Sequence, residues 1–336
     1  MKPRKIILFF FSLFCVCASA GAQDCIKSSL ELRAGYNTTS AFTFDRMALK
    51  LSGSMGDGFT FFIRHHLNRP LYSGFPLAAT DFAYLDWSPD GHWYVKAGKS
   101  YIEYGTVEFY KPPIDVFFWS EYCSNITAFV PQVSAGYRFD GGRDELNFQW
   151  ARSPFCRFDA GAGTFDDPML NSFNASWRHE TERYSEYISI NTFEHLEGNY
   201  TAHLASGTRT RFGAFELEFD LVFRTPLDNN FNIGNSLSEV INLNYTISPK
   251  FEVFAKNAFD YNESMDADEM VYKGTNLGTM GAGVCFFPKN GSRDIRLHAC
   301  LTHTYGQASQ IYSAITPDVT TFAVGLTWHI GILNYR

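Results

Sequence analysis

The 336-residue sequence predicts an all-β protein, a transmembrane antiparallel β-barrel of about 16 strands, on three observations. Apolar and polar residues alternate with period two along most of the chain. Clusters of turn formers separate the alternating segments. The connections between segments are short and long by turns, as in barrels with tight turns on one rim and larger loops on the other. Successive side chains of a strand point to opposite faces, so this pattern gives one face suited to hydrocarbon and one suited to water. In a bilayer every backbone N–H and C=O must be paired inside the protein, and strands achieve that only by closing into a barrel. A soluble sandwich also alternates, but its polar face usually carries dense charge and its edges need Lys or Pro as guards. Here the polar faces are often Gly, Ser, Thr or Asn.

Taken in order, the chain begins with Lys2, Arg4 and Lys5, an apolar run over 6–17, and the small-residue sites Ala18-Ser19-Ala20 and Ala20-Gly21-Ala22. That is the pattern of a secretory signal peptide over residues 1–22, which leaves residues 23–336 as the barrel domain and the outer membrane as its destination. No lipid-attachment box precedes Cys17 or Cys25. Strands are expected near 28–36, 42–54, 58–67, 81–88, 92–99, 126–139, 145–153, 170–179, 184–194, 198–208, 211–224, 238–248, 251–260, 278–287, 294–304 and 320–331. Sixteen is an even number, as single-chain bacterial barrels require. The last segment shows the rule most clearly: Phe322, Val324, Leu326, Trp328, Ile330 and Ile332 alternate with Thr321, Ala323, Gly325, Thr327, His329 and Gly331. Phe215, Leu217, Phe219, Leu221 and Phe223 alternate likewise with Glu216, Glu218, Asp220 and Arg224.

Connections after even-numbered strands are short and rich in turn formers, among them Gly56-Asp57-Gly58, Ser88-Pro89-Asp90-Gly91 and Asp140-Gly141-Gly142. Those after odd-numbered strands are usually long, at 68–80, 100–125, 154–169, 261–277 and 305–319. With both termini on the periplasmic side, the third external loop is the longest.

Composition excludes the alternatives. A mean hydropathy of −0.17 and the lack of a further apolar run of about 18 residues rule out spanning helices. Aromatics at 17% against 19% charged residues rule out disorder. The net charge of −7 becomes more negative once the three basic signal residues are removed, which excludes a nucleic-acid partner. Five cysteines remain, Cys25, Cys123, Cys156, Cys285 and Cys300, with no C-x-x-C; a Cys123–Cys156 bridge between loops is one option among several. No G-x-S-x-G, H-E-x-x-H or P-loop is present, so neither catalysis, a cofactor nor a metal is expected. The acidic run Asp260, Glu263, Asp266, Asp268 and Glu269 has Met265 where a calcium loop needs glycine.

The stretch Asp81-Phe82-Ala83-Tyr84-Leu85-Asp86-Trp87, then Val95-Lys96-Ala97-Gly98-Lys99, Glu103-Tyr104-Gly105 and Pro112-Pro113-Ile114-Asp115 resembles the phosphate-selective porin O/P family over about 40 residues. That resemblance implies a sixteen-stranded outer-membrane channel, commonly a homotrimer, whose third loop folds into the pore and narrows it, here around Tyr101 to Tyr122. The chain departs from the common terminal aromatic of outer-membrane barrels by ending Asn334-Tyr335-Arg336. The basic ladder of the phosphate-specific members does not align residue by residue, so phosphate selectivity does not follow.

Following each polar face inward assigns Arg33, Arg46, Lys50, Arg64, Lys96, Arg138 and Arg178 to the lumen, with Lys99 at the root of the long loop. The second half contributes Glu216, Glu218, Asp220 and Glu252, and the loop adds Glu103, Glu108, Asp115 and Glu121. Opposed basic and acidic rows would set a transverse field across a wet constriction. His66, His203, His298 and His329 also face inward but are scattered, as pore lining is. Outward Trp87, Trp93, Tyr137, Trp150, Trp177, Tyr245 and Trp328 fall near strand ends, where amphipathic rings suit the lipid interface. The loop aromatics Tyr101, Tyr104, Phe109, Tyr110, Phe117, Phe118, Trp119 and Tyr122 read either as packing against the wall or as a sugar contact. The expected function is passive diffusion of small hydrophilic solutes or ions, anions and phosphate included, with outer-membrane lipid outside. A glycan-binding secreted β-protein and a barrel enzyme are the alternatives.

Overall fold

In the computed structural model, residues 25–69, 78–155, 158–159, 164–165, 169–227 and 232–335 are described. The signal peptide expected over residues 1–22 and Cys156, with any pairing to Cys123, lie outside them. Sixteen antiparallel strands form one closed barrel, each paired with its neighbours in sequence. They are β1 (Ile26–Asn37), β2 (Ala41–Ser54), β3 (Phe59–His66), β4 (Thr80–Trp87), β5 (Trp93–Tyr101), β6 (Phe129–Phe139), β7 (Asp144–Arg152) and β8 (Asn171–Glu180). The second half holds β9 (Tyr184–Leu196), β10 (Asn199–Phe212), β11 (Phe215–Pro226), β12 (Ser236–Ser248), β13 (Phe251–Asn262), β14 (Thr275–Phe286), β15 (Ile295–Gln307) and β16 (Thr320–Tyr335). Closure comes from β1 against β16, in register from Ile26↔Tyr335 to Asn37↔Ala323 with one bulge at Ser28/Ser29.

Every expected strand is present, displaced at its ends by a few residues. Two connections after odd-numbered strands are short, as the expected strand bounds leave them: 38–40 between β1 and β2, and 197–198 between β9 and β10. A two-stranded ladder, 158–159 with 164–165, stands apart from the barrel.

Period two decides which way each side chain points. On β11, Glu218, Asp220, Val222 and Arg224 are buried while Leu217 and Phe219 are exposed at 41% and 37%. On β16 the exposed row is Phe322, Val324, Leu326 and Trp328. The exposed apolar rows make a continuous outer skin, and the inner face is polar, the reverse of a soluble protein. Aromatic pairs ring the short-turn rim: Phe59 with Trp87, Trp93 with Tyr137, Phe215 with Tyr245, and Phe251 with Phe286, at centroid distances of 4.4–6.0 Å. Trp150 lies near the opposite rim, beside Phe173.

Candidate functional site: the barrel lumen

Between β5 and β6, residues 102–128 leave the wall and are bonded to inner-face side chains far around the barrel. Two one-turn helices give this segment shape. In α1 (Val107–Tyr110) the Thr106 side chain accepts from the Phe109 N–H, and in α2 (Glu121–Asn125) Ser120 accepts from the Cys123 N–H. Such N-caps satisfy amides that a helix cannot pair internally.

The segment is anchored step by step. Asn191 of β9 donates to the Glu103 carbonyl at 2.8 Å, and the Gly105 N–H donates to Ser189 Oγ at 2.8 Å. On β11, Asp220 accepts from the Val107 and Glu108 amides at 2.6 and 2.9 Å, so one carboxylate closes the N-terminus of α1. Lys111 pairs with Glu218, and Glu108 pairs with Lys256 of β13 and accepts from Ser120. Asp260 accepts from the Glu121 N–H at 2.8 Å. Farther round, Arg296 of β15 holds Asp115 and the Ile114 carbonyl at 2.9 and 2.8 Å, and Arg33 of β1 donates to the Val116 carbonyl at 2.6 Å. Glu121 reaches the β15–β16 connection and accepts from the Ala314 and Ile315 amides at 2.9 and 3.0 Å.

Two glycines permit this close approach. A Cβ at Gly207 of β10 would stand 2.6 Å from the Val107 nitrogen, and one at Gly105 would stand 2.6 Å from the Ser189 nitrogen. Loop backbone lies directly on wall backbone. Between the segment and the β11–β13 wall remains a gap of about 40 Å³.

Burial alone would push the Glu108 carboxyl up, but the Lys256 ammonium and the Ser120 hydrogen bonds hold it below the ordinary glutamate value. Asp268, in the β13–β14 connection, is held low against burial by Arg224. That pair, at 2.6 Å and fully buried, is joined by Ser236.

The open space lies on the other side of the segment, as a cavity of about 990 Å³. Its lining is strongly basic: Arg46, Lys50, Arg64, Arg69, Lys99, Lys111, Arg152, Arg178 and Arg209, against Asp81, Glu180 and Glu269. A register shift between Arg64 and His65 leaves Asp81 out of the ladder and turns it inward. There it accepts from Arg64 at 2.9 and 3.1 Å, lies 2.6 Å from His66 Nε2 and 3.8 Å from Arg46. Nη1 of Arg46 is buried without a hydrogen-bond partner.

These contacts correct the expectation of two bare, opposed rows. Of the acidic residues, Asp220, Glu218 and Glu108 are buried against the loop or its lysine partners rather than facing open water, while Asp115, partly exposed, pairs with Arg296. Glu121 is buried between two connections, and Glu252 pairs with Arg293 beside a short turn. Glu216 pairs with Arg211. The basic half is also less uniform than expected. Lys50 pairs with Glu31, Arg138 with Glu145 and Asp86, Arg178 with Glu145, and Lys96 lies 3.8 Å from Glu103. Arg33 is engaged by the loop.

Lys256, Arg296 and Arg209 were missed on the second half, although the parity of their strands places each inward. Asp81 had no such signal, because a bulge overrides parity. The four histidines lie on the inner face; His203 is packed beneath Tyr104, whose hydroxyl is 3.0 Å from Nδ1. In the acidic run, Asp260 and Asp268 are buried against protein donors, while Asp266 is exposed beside Lys273. The loop aromatics divide: Tyr104 and Tyr122 are buried, Phe117 stacks on Phe254 at 4.6 Å, and Phe109, Tyr110 and Trp119 line the cavity with Tyr101.

The profile of the family described as phosphate-selective porin O and P matches residues 29–154, which span nearly all of β1 through β7 and the whole anchored segment. Among solved structures, an anion-selective porin from Comamonas acidovorans aligns over 92% of this chain and 99% of its own, with TM-score 0.61 and 12% identity. The fold is that of a porin. Salmonella typhi OmpF in complex with daunomycin aligns with this porin barrel over 91% of the chain and 97% of its own, at TM-score 0.61 and 10% identity. OmpT of Vibrio cholerae in its trimer form does so over 91% and 98%, at 0.59 and 10%. Among curated proteins none matches. The residues that carry the resemblance seen in the sequence, Asp81 to Asp115, all lie inside the matched stretch, and a porin barrel is an outer-membrane structure.

Proposed function

We propose that this porin barrel is an outer-membrane channel for passive diffusion of small hydrophilic solutes and ions, with anions favoured. The observation that carries the reading is how residues 102–128 are bonded to inner-face side chains, which supports a lumen divided by this segment. Acidic side chains of β11 and β13 are used to hold the segment, and the charged residues lining the cavity left open are mostly cations. A wet, positively charged passage concentrates anions and repels cations. Residues 1–22 direct export, the segment around Tyr101 to Tyr122 is the constriction, and three copies assemble side by side in lipid, as the trimer form of the Vibrio cholerae protein suggests.

The test is reconstitution of the purified protein in planar bilayers under a KCl gradient. The expected result is steady conductance with a zero-current potential of anion sign, from a species whose gel mobility changes on heating. Absence of conductance rejects the channel, and a potential of cation sign rejects the charge assignment.

A further inference from the structure

Resting on the channel reading, we propose that the lumen is built for organic anions in which a carboxylate is carried on a ring with a flat apolar face, rather than for compact inorganic anions. A contiguous run of rings lines the cavity. Phe129 stands 5.0 Å from Phe82, Phe82 5.8 Å from Tyr101, Tyr101 5.6 Å from Tyr110, and Tyr110 4.9 Å from Tyr187. The run crosses from β6 and β4 over the anchored segment to β9.

Cations flank the first three rings of the run, Phe129, Phe82 and Tyr101, while the hydroxyls of Tyr110 and Tyr187 donate to Glu103 and Glu180. The Arg64 guanidinium lies 4.4 Å from the Phe82 centroid and 5.1 Å from that of Phe129. Lys96 Nζ lies 5.7 Å from the Tyr101 centroid. Arg46, nearly buried, lines the same space 3.8 Å from Asp81. A guanidinium in the cavity wall is a fork-shaped donor matched to a carboxylate.

A passage for phosphate or chloride alone gains nothing from a row of rings, because small hydrated ions do not stack. A ring carboxylate uses both features at once, with its head on the guanidinium and its body sliding over successive aromatic faces and edges. Aryl carboxylates and cyclic sugar acids share this chemistry.

The experiment titrates benzoate, galacturonate, acetate and inorganic phosphate against the KCl current of the native full-length protein in planar bilayers, reading half-block concentrations. At least one ring acid should block at roughly three- to tenfold lower concentration than acetate and phosphate, the range one aromatic contact supports. Preference for benzoate alone assigns aryl acids, and preference for galacturonate alone assigns sugar acids. Tyr110→Leu should erase the ring advantage while leaving acetate block unchanged, and Arg46→Gln should weaken block by all four. Tyr101→Leu serves in place of Tyr110→Leu if that variant does not fold. Equal block by all four anions in a conducting channel overturns the ring-acid assignment and leaves the channel reading standing. A barrel that carries no KCl current overturns the channel reading, and this assignment with it.

Discussion

Lys96 shows how a single side chain is tuned in this lumen. Its ammonium sits 3.8 Å from Glu103 and within 5.4–5.8 Å of the Tyr84, Tyr94 and Tyr101 rings, so the charge is held in place without being fully neutralised. Reversing a charge about 4 Å from a passing ion changes that ion's energy by ~2 kcal/mol in water before screening. Lys96→Glu should therefore lower the anion-to-cation permeability ratio several-fold, measured as a shift of the reversal potential toward the cation side. Glu108 sets a pH limit. Its folded value lies below the ordinary one, so its ion pair with Lys256 contributes fully above the ordinary glutamate range and is lost as pH falls through the depressed folded value. Current noise should rise on acidification through that window, and Glu108→Gln channels should lose the step. Most of these inward residues were legible from parity, Arg33, Arg46 and Arg64 among them. Their partners were not, because a hydrogen bond such as that from Arg33 to the Val116 carbonyl joins residues 83 apart in the chain.

At the level of elements, strands are local objects and the anchored segment is not. Each strand writes its own pattern in side chains two apart, so Phe215 to Phe223 declares itself without reference to its neighbours. Residues 102–128 carry no such period. Their position is set by Asp220, Lys256, Asp260 and Arg296, which come from later strands. The resemblance of Asp81 to Asp115 to known porins pointed to the loop, but not to the wall it lies on. Asp220→Ala removes the acceptor of two buried amides, and a buried donor left unpaired costs ~1–3 kcal/mol. The expected outcome is a loosened segment: noisier current and faster proteolytic cleavage near Val107, with the heat-induced mobility change of the barrel unaltered. Asp220→Asn, which keeps one acceptor oxygen, should fall between the two.

For the molecule as a whole, the outer skin decides where it can exist. Phe219 sits midway along β11 on the exposed row. An arginine on the lipid face at mid-bilayer costs ~2–4 kcal/mol. Phe219→Arg should lower folding stability in lipid by that amount, measured by urea titration in bilayers, whereas a soluble β-protein would tolerate the change at an exposed site. The cylinder was legible as a class because closure is the only way to satisfy strand edges in hydrocarbon.

The seam between β1 and β16 also constrains how the molecule is made. Ile26 lies opposite Tyr335, so the first strand to emerge during synthesis has no partner on one side until the last has been completed. An unsealed edge is a template for mispairing. Until β1 and β16 meet, each therefore keeps one open edge, and the step that seals the cylinder is the meeting of its two ends.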